Sequence, residues 1–298
     1  MEFKWTFSHE EPMSVLAYLR TLDLPRRFIT RLKFEGGDIQ VNGQSVTVRK
    51  TLQAGDVIRL QAPIEYGHET VPPSFEPIDV VYEDRDILVV NKPMDVVSIP
   101  SRRDPDTSMA NRIKGYYVSQ GYQDQVIHIV TRLDRDTTGL MMIAKHRLAH
   151  AWMDRQIQEG HLQKFYYAIS QKTDWDKHHL IDAPIARTDD SIINRRVHES
   201  GQSAQTEYWL QEQFEDSSLL KLQLHTGRTH QIRVHLTHLG GPLVGDDLYG
   251  GRLEAPLTRQ ALHCGELIFY QPFSKERLHL TLPLADDMLE WISIRRQK

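Results

Sequence analysis

A proline-rich stretch at residues 63–75, PIEYGHETVPPSF, constrains the fold more than any other feature of this chain. Three prolines and a glycine disfavour both a helix and a strand there. We therefore interpret the stretch as a linker between a small N-terminal module, residues 1–62, and a body, residues 76–298. The length of 298 residues also favours two domains over one compact core.

The N-terminal module has the pattern of a compact α/β unit. The spacing of its apolar residues predicts helices over Ser14–Leu22 and Arg26–Phe34. Alternating apolar residues then predict a hairpin that turns at Asn42-Gly43 and returns through residues 46–48. A last strand is predicted over Val57–Leu60.

The body mixes helices and strands without strict alternation. Strands are predicted over 87–91, 140–144, 164–170, 220–224 and 278–282, and helices over 108–118, 146–159, 229–239 and 286–294. A Gly-rich phosphate-binding loop is absent from the sequence. The pattern therefore disfavours a Rossmann or P-loop fold.

Charge and cysteine content restrict the compartment and the partners. The N-terminus carries Glu2, Lys4, Glu10 and Glu11 where a signal peptide needs an apolar run. No stretch approaches the roughly 18 apolar residues of a membrane helix, and the single cysteine, Cys264, excludes an internal disulfide. We therefore expect a cytoplasmic protein that is not bound to a membrane. Because the net charge is −4, binding of a nucleic acid has to depend on local groups of arginines.

The segment Thr131–Lys145, TRLDRDTTGLMMIAK, joins a charged turn directly to an apolar strand. Asp134 lies in this turn between Arg132 and Arg135, and a nearby guanidinium favours the ionised form of a carboxylate. An aspartate that forms surface ion pairs, which are common and contribute little to stability, fits the same pattern. Asp134 is thus a candidate active-site anion whose role the local pattern leaves open.

A second segment, Leu224–Gly250, places a basic helix start after a strand. Thr229 is a candidate N-cap, which leaves Arg228 and Arg233 near the helix N-terminus. Such an end favours anions. A helix start exposed to water is the alternative.

The same segment invites a metal interpretation because it contains four histidines: His225, His230, His235 and His238. Only His235 and His238 have a spacing that lets both face one ligand, and no glutamate completes a zinc motif. We therefore expect no metal.

The segment Lys164–Ile169, KFYYAI, predicts a strand on which Phe165, Tyr167 and Ile169 share one face. Tyr166 then lies on the opposite face. A tyrosine separated from the apolar face is a candidate for lining a site, and a tyrosine at a sheet edge is the alternative.

Taken together, these segments resemble the RluA-type pseudouridine synthases. The similarity runs in the family's order from VYEDRDILVVNKPMDVVSIP through the Asp134 segment, KFYYA, GQSAQTEY and TGRTHQIRVHL to RQALHC. It covers nearly all of residues 76–298. The resemblance implies an α+β fold with a mixed, largely antiparallel central sheet flanked by helices. It also implies an enzyme that isomerises specific uridines of structured RNA to pseudouridine without a cofactor.

The N-terminal module is similar to a small α/β RNA-binding domain of a ribosomal protein that is often fused to these synthases. The similarity lies chiefly in RRFITRLKFEGGDIQVNG and LQAGDVIRL. Its second helix supplies four candidate RNA contacts: Arg26, Arg27, Arg31 and Lys33. In the body, Arg195 and Arg196 are further candidates. For all six, a solvated surface is the alternative.

The resemblance implies a role for each matching residue of the body. Asp134 matches the catalytic aspartate, and Arg233 matches the arginine paired with it. Tyr166 matches the tyrosine that stacks on the target base. Arg132 matches an arginine that replaces the flipped base, and Arg228 is a candidate RNA contact.

Two positions depart from the family's pattern. Thr131 replaces the usual histidine. We expect this replacement to change local support or an RNA contact rather than to inactivate the enzyme. Asp95 replaces the usual glycine of the Asn-Lys-Pro segment, and Asp tolerates a positive φ less easily than Gly.

One carboxylate suffices for this chemistry, because the released uracil is retained and attacks the sugar again through a ring carbon. A glycosidase needs two, because it must protonate a leaving group and activate water. Asp134 either attacks the anomeric carbon or removes a sugar proton, and the sequence does not distinguish the two routes.

Two other functions fit parts of the pattern: an RNA-binding protein that keeps the fold without catalysis, and a histidine-metal hydrolase. The joint presence of Asp134, Tyr166 and Arg233 favours the synthase. The N-terminal module favours ribosomal RNA over transfer RNA as the target. We expect a monomer, because the sequence contains no obvious apolar seam.

Overall fold

The computed structural model describes residues 1–65, 71–188, 191 and 193–297. Part of the predicted linker, residues 66–70, therefore lies outside the described residues. Within them, a four-stranded sheet forms in the N-terminal module and a ten-stranded sheet forms in the body. None of the described helices is long and apolar enough to cross a membrane.

The N-terminal module is built from short strands and two helices: β1 (Glu2–Thr6), β2 (Met13–Ser14), α1 (Val15–Thr21), α2 (Arg26–Phe34), β3 (Asp38–Val41), β4 (Gln44–Ser45), β5 (Thr51–Leu52) and β6 (Val57–Gln61). Both predicted helices are confirmed, as is the turn, where Asn42 and Gly43 have φ of 51° and 81°. The return strand is wrong in position, because β4 ends before residues 46–48. The sequence pattern did not predict β1, β2 or β5.

The body follows with these elements: β7 (Asp79–Glu83), β8 (Ile87–Lys92), α3 (Met109–Ser119), β9 (His128–Ile129), β10 (Thr138–Ala144), α4 (Arg147–Gln158), β11 (Gln163–Ser170), β12 (His178–Asp182), β13 (Ile185–Arg187), β14 (Arg195–Val197), β15 (Gln205–Gln213), β16 (Ser218–Leu224), α5 (Gln231–His238), β17 (Leu262–Tyr270), β18 (Arg277–Thr281) and α6 (Asp286–Arg296). All the predicted strands and helices of the body are present. The sequence pattern did not predict β7, β9, β12, β13, β14, β15 or β17.

The large sheet has the strand order β12-β15-β16-β11-β17-β10-β8-β7, with β18 paired to β17 and β9 paired to β10. Its described neighbours are antiparallel except β10 and β17, which run parallel from Thr138 opposite His263. The predicted fold class is therefore confirmed: α+β, with a mixed, largely antiparallel central sheet flanked by helices.

Strand β10 lies in the core of the body. All seven of its residues, Thr138–Ala144, are buried. Such a continuous apolar run is typical of a strand that is covered on both faces. Because β10 cannot move without disrupting this core, the turn that leads into it is held in place.

The N-terminal module packs directly on the body. Leu148 and Trp152 of α4 belong to the same buried cluster as the core of the module. The Phe3 ring lies 5.2 Å from the His146 ring, and the Arg85 guanidinium lies 5.3 Å above the Phe3 ring. The shared core fixes the module against the body, while the domain boundary at residue 62 stays a prediction.

The described parts of the predicted linker, residues 63–65 and 71–75, form neither helix nor strand. They are fixed on the body by specific contacts. Glu65 accepts a hydrogen bond from the Arg147 backbone N–H at 3.0 Å and lies 2.8 Å from His128 Nε2. Burial would raise the pKa of Glu65, but His128 and Arg147 lower it to about 2.

Candidate active site

A cavity of about 720 Å³ opens where the turn before β10, the start of β11 and the loop before α5 meet. Its lining includes the three predicted catalytic residues, Asp134, Tyr166 and Arg233. The predicted RNA contacts Arg132 and Arg228 also line it. The fold thus brings together five candidates that lie up to about a hundred residues apart in the sequence.

Hydrogen bonds within the turn fix the position of Asp134. The Ser98 hydroxyl donates to the Leu133 carbonyl at 2.7 Å and accepts from the Leu133 N–H at 3.0 Å. The Thr137 N–H donates to the Asp134 carbonyl at 3.2 Å. Asp134 therefore lies on a rigid turn, and its side chain remains 29% exposed at the cavity.

The two departures from the family's pattern have structural roles next to this turn. Thr131 is buried, and its hydroxyl accepts a hydrogen bond from the Met142 N–H at 2.9 Å. Asp95 has a φ of 57°, and its N–H donates to Asp136 Oδ1 at 3.2 Å. Thr131 thus supplies local support, and Asp95 adopts the positive φ that a glycine would favour.

Neither arginine that is close to Asp134 in the sequence forms an ion pair with its carboxylate. Arg135 instead contacts Asp104 at 2.6 Å and Asp95 at 3.3 Å. The Arg132 side chain is exposed at the cavity, and no ion pair joins it to a described residue. The expectation that adjacent guanidinium groups stabilise the Asp134 carboxylate is therefore wrong.

Arg233 is the arginine that approaches the carboxylate. Its Nη1 lies 3.6 Å from Asp134 Oδ2. Its Nε and Nη2 donate to the two carboxylate oxygens of Asp246, each at 2.7 Å. Burial would lower the pKa of Arg233, but the hydrogen bonds and charge of Asp246 and the charge of Asp134 raise it. Arg233 is thus a permanently charged, oriented donor.

The loop before α5 reaches the site through His230, not through a capping threonine. The helix begins at Gln231, and its N-cap is His230 with a left-handed φ of 58° and no side-chain cap. The prediction that Thr229 caps the helix is therefore wrong. A left-handed φ at a non-glycine residue is costly, so tertiary contacts have to hold it.

Those contacts lie in the site itself. His230 Nδ1 lies 2.9 Å from the Tyr249 hydroxyl, and His230 Nε2 lies 4.0 Å from Asp134 Oδ2. Burial and the nearby Arg233 lower the pKa of His230, although the Asp134 charge opposes this. The ring is therefore neutral at neutral pH. It borders the carboxylate without adding a charge to it.

Tyr166 forms an inner wall of the cavity. It lies in β11 opposite Cys264 of β17, directly after a bulge between Phe165 and Tyr166. A bulge redirects the side chains that follow it. Only 4% of Tyr166 is exposed. Burial raises the pKa of Tyr166 well above the ordinary tyrosine value, and the Asp134 charge acts in the same direction.

A buried lysine, Lys92, stabilises the turn that contains Asp134. Lys92 Nζ donates to the carbonyls of Pro93, Val96 and Arg135 at 2.7, 2.6 and 2.6 Å. Burial lowers the pKa of Lys92 to about 7, although the carboxylates of the adjacent turn oppose this. Its ammonium group is thus an anchor for three backbone oxygens that surround the active-site turn.

Sequence reasoning missed four residues of this site: Lys92, His230 as a neighbour of Asp134, Asp246 and Tyr249. A signal existed for Asp246, which follows a glycine in the otherwise apolar stretch GGPLVGD. A buried carboxylate requires a cationic partner. The pattern could not identify Arg233 as that partner.

The histidines of the α5 segment contact groups other than one another. Among the described residues, no group of three His, Cys, Asp or Glu side chains is arranged to hold a metal ion. His235 instead contacts the Thr206 hydroxyl and the Ala183 carbonyl, each at 2.8 Å. It therefore ties α5 to the sheet.

The basic residues of α2 lie away from the cavity. Arg26, Arg27 and Lys33 are exposed, and Arg31 forms an ion pair with Glu35 at 2.5 Å. None of the four lines the cavity that contains Asp134. Their contact with RNA stays a prediction.

Comparisons with known proteins identify the family of this chain. The family model for RNA pseudouridylate synthase matches residues 86–238. The uncharacterized RNA pseudouridine synthase YjbO of Bacillus subtilis is 42% identical over 94% of this chain and 98% of its own. The ribosomal large subunit pseudouridine synthase D of Vibrio parahaemolyticus is 37% identical over 85% of this chain and 81% of its own.

A solved structure shares the fold. Human RNA pseudouridylate synthase domain containing 1 superposes with a TM-score of 0.58 at 25% identity, over 76% of this chain and 98% of its own. The chain therefore belongs to the RNA pseudouridylate synthase family, as an RluA-type enzyme that isomerises uridine in RNA to pseudouridine.

Proposed function

We propose that Asp134 is the catalytic carboxylate of this synthase, that Arg233 and Tyr166 complete its active site, and that the substrate is structured ribosomal RNA. One observation carries the proposal. The Asp134 carboxylate borders a cavity that is also lined by Tyr166, with its Oδ2 3.6 Å from a buried guanidinium. The other carboxylate that contacts Arg233 belongs to Asp246, which is fully buried and already paired with this arginine.

The reaction breaks the bond from the anomeric carbon of the sugar to N1 of uracil and forms a new bond to C5. No water enters and no electrons are gained or lost, since the proton lost from C5 is balanced by one gained at N1. Asp134 serves either as the nucleophile at the anomeric carbon or as the base that removes a sugar proton. In a partly closed site its charge acts more strongly than in water.

Arg233 acts on Asp134 from a fixed position. Its two hydrogen bonds to Asp246 hold the guanidinium before the substrate arrives, so that no reorganisation is needed during the reaction. At 3.6 Å its third nitrogen is beyond a short hydrogen bond to Asp134. The carboxylate oxygens are therefore available to the sugar.

The target uridine has to leave the RNA stack before it can reach this carboxylate. Flipping costs a few kcal/mol, and stacking on an aromatic ring returns roughly 1–3 kcal/mol. Tyr166 provides such a ring inside the cavity, and Arg132 is exposed at the rim, where a side chain can occupy the vacated gap.

The assignment to ribosomal RNA rests on relatives and on the N-terminal module. Relatives from Vibrio parahaemolyticus and Escherichia coli carry the name ribosomal large subunit pseudouridine synthase D. Arg26, Arg27, Arg31 and Lys33 of α2 give the module a basic helix, to which we assign contacts with the RNA backbone. Mapping pseudouridine in total RNA from a deletion strain tests this. Loss confined to transfer RNA would overturn it.

A tritium-release assay tests the role of Asp134. Wild-type protein should release tritium from ribosomal RNA labelled at C5 of uridine, and Asp134→Asn should release none above background. Asp136→Asn, two residues later in the same turn, is the matched control and should keep most activity. Equal release by Asp134→Asn would remove Asp134 from its role, and an inactive wild type would favour a non-catalytic RNA-binding protein.

We further propose that the enzyme is a monomer that acts in the cytoplasm without a metal or another cofactor. Light scattering after gel filtration tests the oligomeric state. Tritium release that is unchanged after treatment with a chelator would agree with the absence of a metal. Loss of release that added metal restores would contradict it.

A further inference from the structure

The sequence RQALHC, residues 259–264, leads into β17 and begins with a buried arginine. Only 5% of Arg259 is exposed, and this residue does not line the cavity that contains Asp134. A guanidinium group taken out of water has to be paired and hydrogen-bonded. The partners of Arg259 therefore indicate which parts of the structure its charge holds in place.

One side of the Arg259 guanidinium is paired with helix α6. Nε and Nη2 donate to the two carboxylate oxygens of Asp287, each at 2.8 Å. Asp287 lies in the first turn of α6, where the helix N-terminus also favours a negative charge. A bidentate pair of this kind fixes the plane of the guanidinium as well as its position. The C-terminal helix thus sets the orientation of Arg259.

The other side of the guanidinium reaches the turn before β10. Nη1 donates to the Asp136 carbonyl at 2.9 Å, and Nη2 donates to the Thr138 hydroxyl at 3.3 Å. Nη1 also donates to the carbonyls of Gln260 and Leu262 in its own segment, at 3.1 and 3.3 Å. Arg259 therefore joins three parts of the structure: α6, the turn before β10 and the start of β17.

Two buried cations hold consecutive carbonyl groups of this turn. Lys92 Nζ donates to the Arg135 carbonyl at 2.6 Å, and Arg259 Nη1 donates to the Asp136 carbonyl at 2.9 Å. Both carbonyls directly follow Asp134 in the chain. Because the peptide group is planar, a peptide whose oxygen is held cannot turn freely. The two cations thus restrict the backbone that directs the Asp134 side chain.

The backbone of Arg259 packs against the other half of the site. A Cβ on Gly245 would overlap with the Arg259 carbonyl oxygen, so the two backbones are in close contact. The next residue, Asp246, forms the bidentate ion pair with Arg233. Arg259 therefore contacts both sides of the site: its side chain holds the turn of Asp134, and its backbone lies next to the residue that orients Arg233.

From these contacts, and on the basis of the catalytic role proposed for Asp134, we infer that the Arg259–Asp287 ion pair positions the Asp134 carboxylate relative to Arg233. Both members are positioning residues, because neither lines the cavity. Asp287 orients Arg259, and Arg259 holds the turn. A displacement of about 1 Å at a reacting group can lower a rate about 100-fold, so a small shift of the turn is enough to affect the reaction.

An ion pair that only stabilises the fold makes a different prediction. Its loss would lower the free energy of unfolding and leave the rate of the folded enzyme unchanged. Loss of a positioning pair lowers kcat of the folded enzyme, whereas KM changes little because the RNA contacts remain. The ratio of the effects on kcat and KM, measured on folded protein, therefore separates the two roles.

Steady-state tritium release tests the inference. The substrate is total RNA from a deletion strain, labelled with tritium at C5 of uridine. Asp287→Asn should lower kcat about 10-fold and leave the apparent KM within about twofold. Asp286→Asn is the matched control, because this exposed aspartate lies beside Asp287 in the first turn of α6. Both substitutions remove one charge from the same helix N-terminus, but Asp286→Asn should keep the wild-type kcat.

A double variant, Arg259→Met with Asp287→Leu, separates positioning from stability. Replacing a buried ion pair by apolar side chains of similar volume is often neutral for stability, yet it removes the donor from the Asp136 carbonyl. The kcat of this variant should stay about 10-fold below that of the wild type. All variants are assayed at a temperature where circular dichroism shows them folded, and the double variant decides the question if Asp287→Asn does not fold.

Two results would overturn the inference: equal kcat values for Asp287→Asn and Asp286→Asn, or a wild-type kcat for the double variant. Failure of the catalytic assignment would look different. Full tritium release by Asp134→Asn would remove Asp134 from catalysis. The kcat values of the two α6 variants, measured with Asp134 intact, would still show whether the ion pair acts on the reaction.

Discussion

The Arg233 guanidinium joins two carboxylates of unequal exposure. It forms a bidentate ion pair with the fully buried Asp246, with both hydrogen bonds at 2.7 Å. Its remaining nitrogen lies 3.6 Å from Oδ2 of Asp134, which is 29% exposed. Asp246 thus orients the cation, and Asp134 keeps oxygens that a substrate can reach.

This relationship predicts that Asp246 is a positioning residue. Asp246→Asn should lower kcat by roughly 10- to 100-fold, because displacement of Arg233 by about 1 Å has effects of that size. KM should change less than kcat, since the RNA contacts remain. Asp247→Asn changes the adjacent, exposed aspartate and should be nearly silent.

Thermal unfolding of Asp246→Asn is measured as a control for its kinetics. Removing one partner of a buried ion pair costs roughly 3–5 kcal/mol, so the variant is assayed at a temperature where circular dichroism shows it folded. A folded Asp246→Asn with wild-type kcat would contradict the positioning role.

The two functions of the Tyr166 side chain can be separated. Tyr166→Phe keeps the ring and should leave KM within about twofold, whereas Tyr166→Leu should raise KM about tenfold through lost stacking, which is worth roughly 1–3 kcal/mol per base. If the hydroxyl also moves a proton, kcat should fall in both variants. Steady-state tritium release measures both constants.

Tyr167→Phe is the control for the Tyr166 variants. It removes a hydroxyl of the next residue, which donates to Glu266 at 2.5 Å and belongs to another hydrophobic cluster. Equal KM values for the two Tyr166 variants would show that the ring does not stack on the base.

Local sequence patterns predicted the elements of the site but not the partners of its charges. Helix α2 begins and ends where the pattern places it, because its caps and apolar face are local. The predicted start of α5 is wrong, because the left-handed φ of His230 depends on Tyr249, 19 residues later. The cation beside Asp134 was likewise assigned to neighbouring arginines, whereas it comes from a helix about a hundred residues away. Short-range spacing contains no information about such contacts.

We expect kcat/KM to fall at low pH, and we assign this acid limb of the pH profile to protonation of His230. Burial and Arg233 lower its pKa below the ordinary value of 6.5, so the ring is neutral at pH 7 and gains a proton only as the pH falls. The new cation, 4.0 Å from Asp134, would then compete with the substrate for the carboxylate. His230→Gln should remove this limb, as measured between pH 5 and 8 by tritium release.

His238→Gln is the control for the His230 profile, because this histidine is exposed on the same helix. Its profile should match the wild type. If the acid limb persists unchanged in His230→Gln, the limb arises from the titration of another group.

Asp86 should stabilise the contact between the N-terminal module and the body in a pH-dependent way. Its carboxylate lies 2.8 Å from His146 Nε2 and accepts from Gln271 Nε2 at 2.6 Å, and the His146 ring packs on Phe3. Burial would raise the pKa of Asp86, but His146 and Arg85 lower it to about 2.

Because the folded pKa of Asp86 is below the ordinary value of 3.8, the unfolded chain takes up the proton first. The stabilisation, at most about 2 kcal/mol, is therefore complete above pH 4 and is lost as the pH falls towards 2. The free energy of unfolding of Asp86→Asn should lie below that of the wild type at pH 7, and the gap should narrow below pH 4. Urea unfolding from pH 7 to 2.5 measures this. Asp174→Asn, whose native side chain is 86% exposed, should show no such gap, and a gap for Asp86→Asn that stays constant with pH would show that its charge contributes nothing.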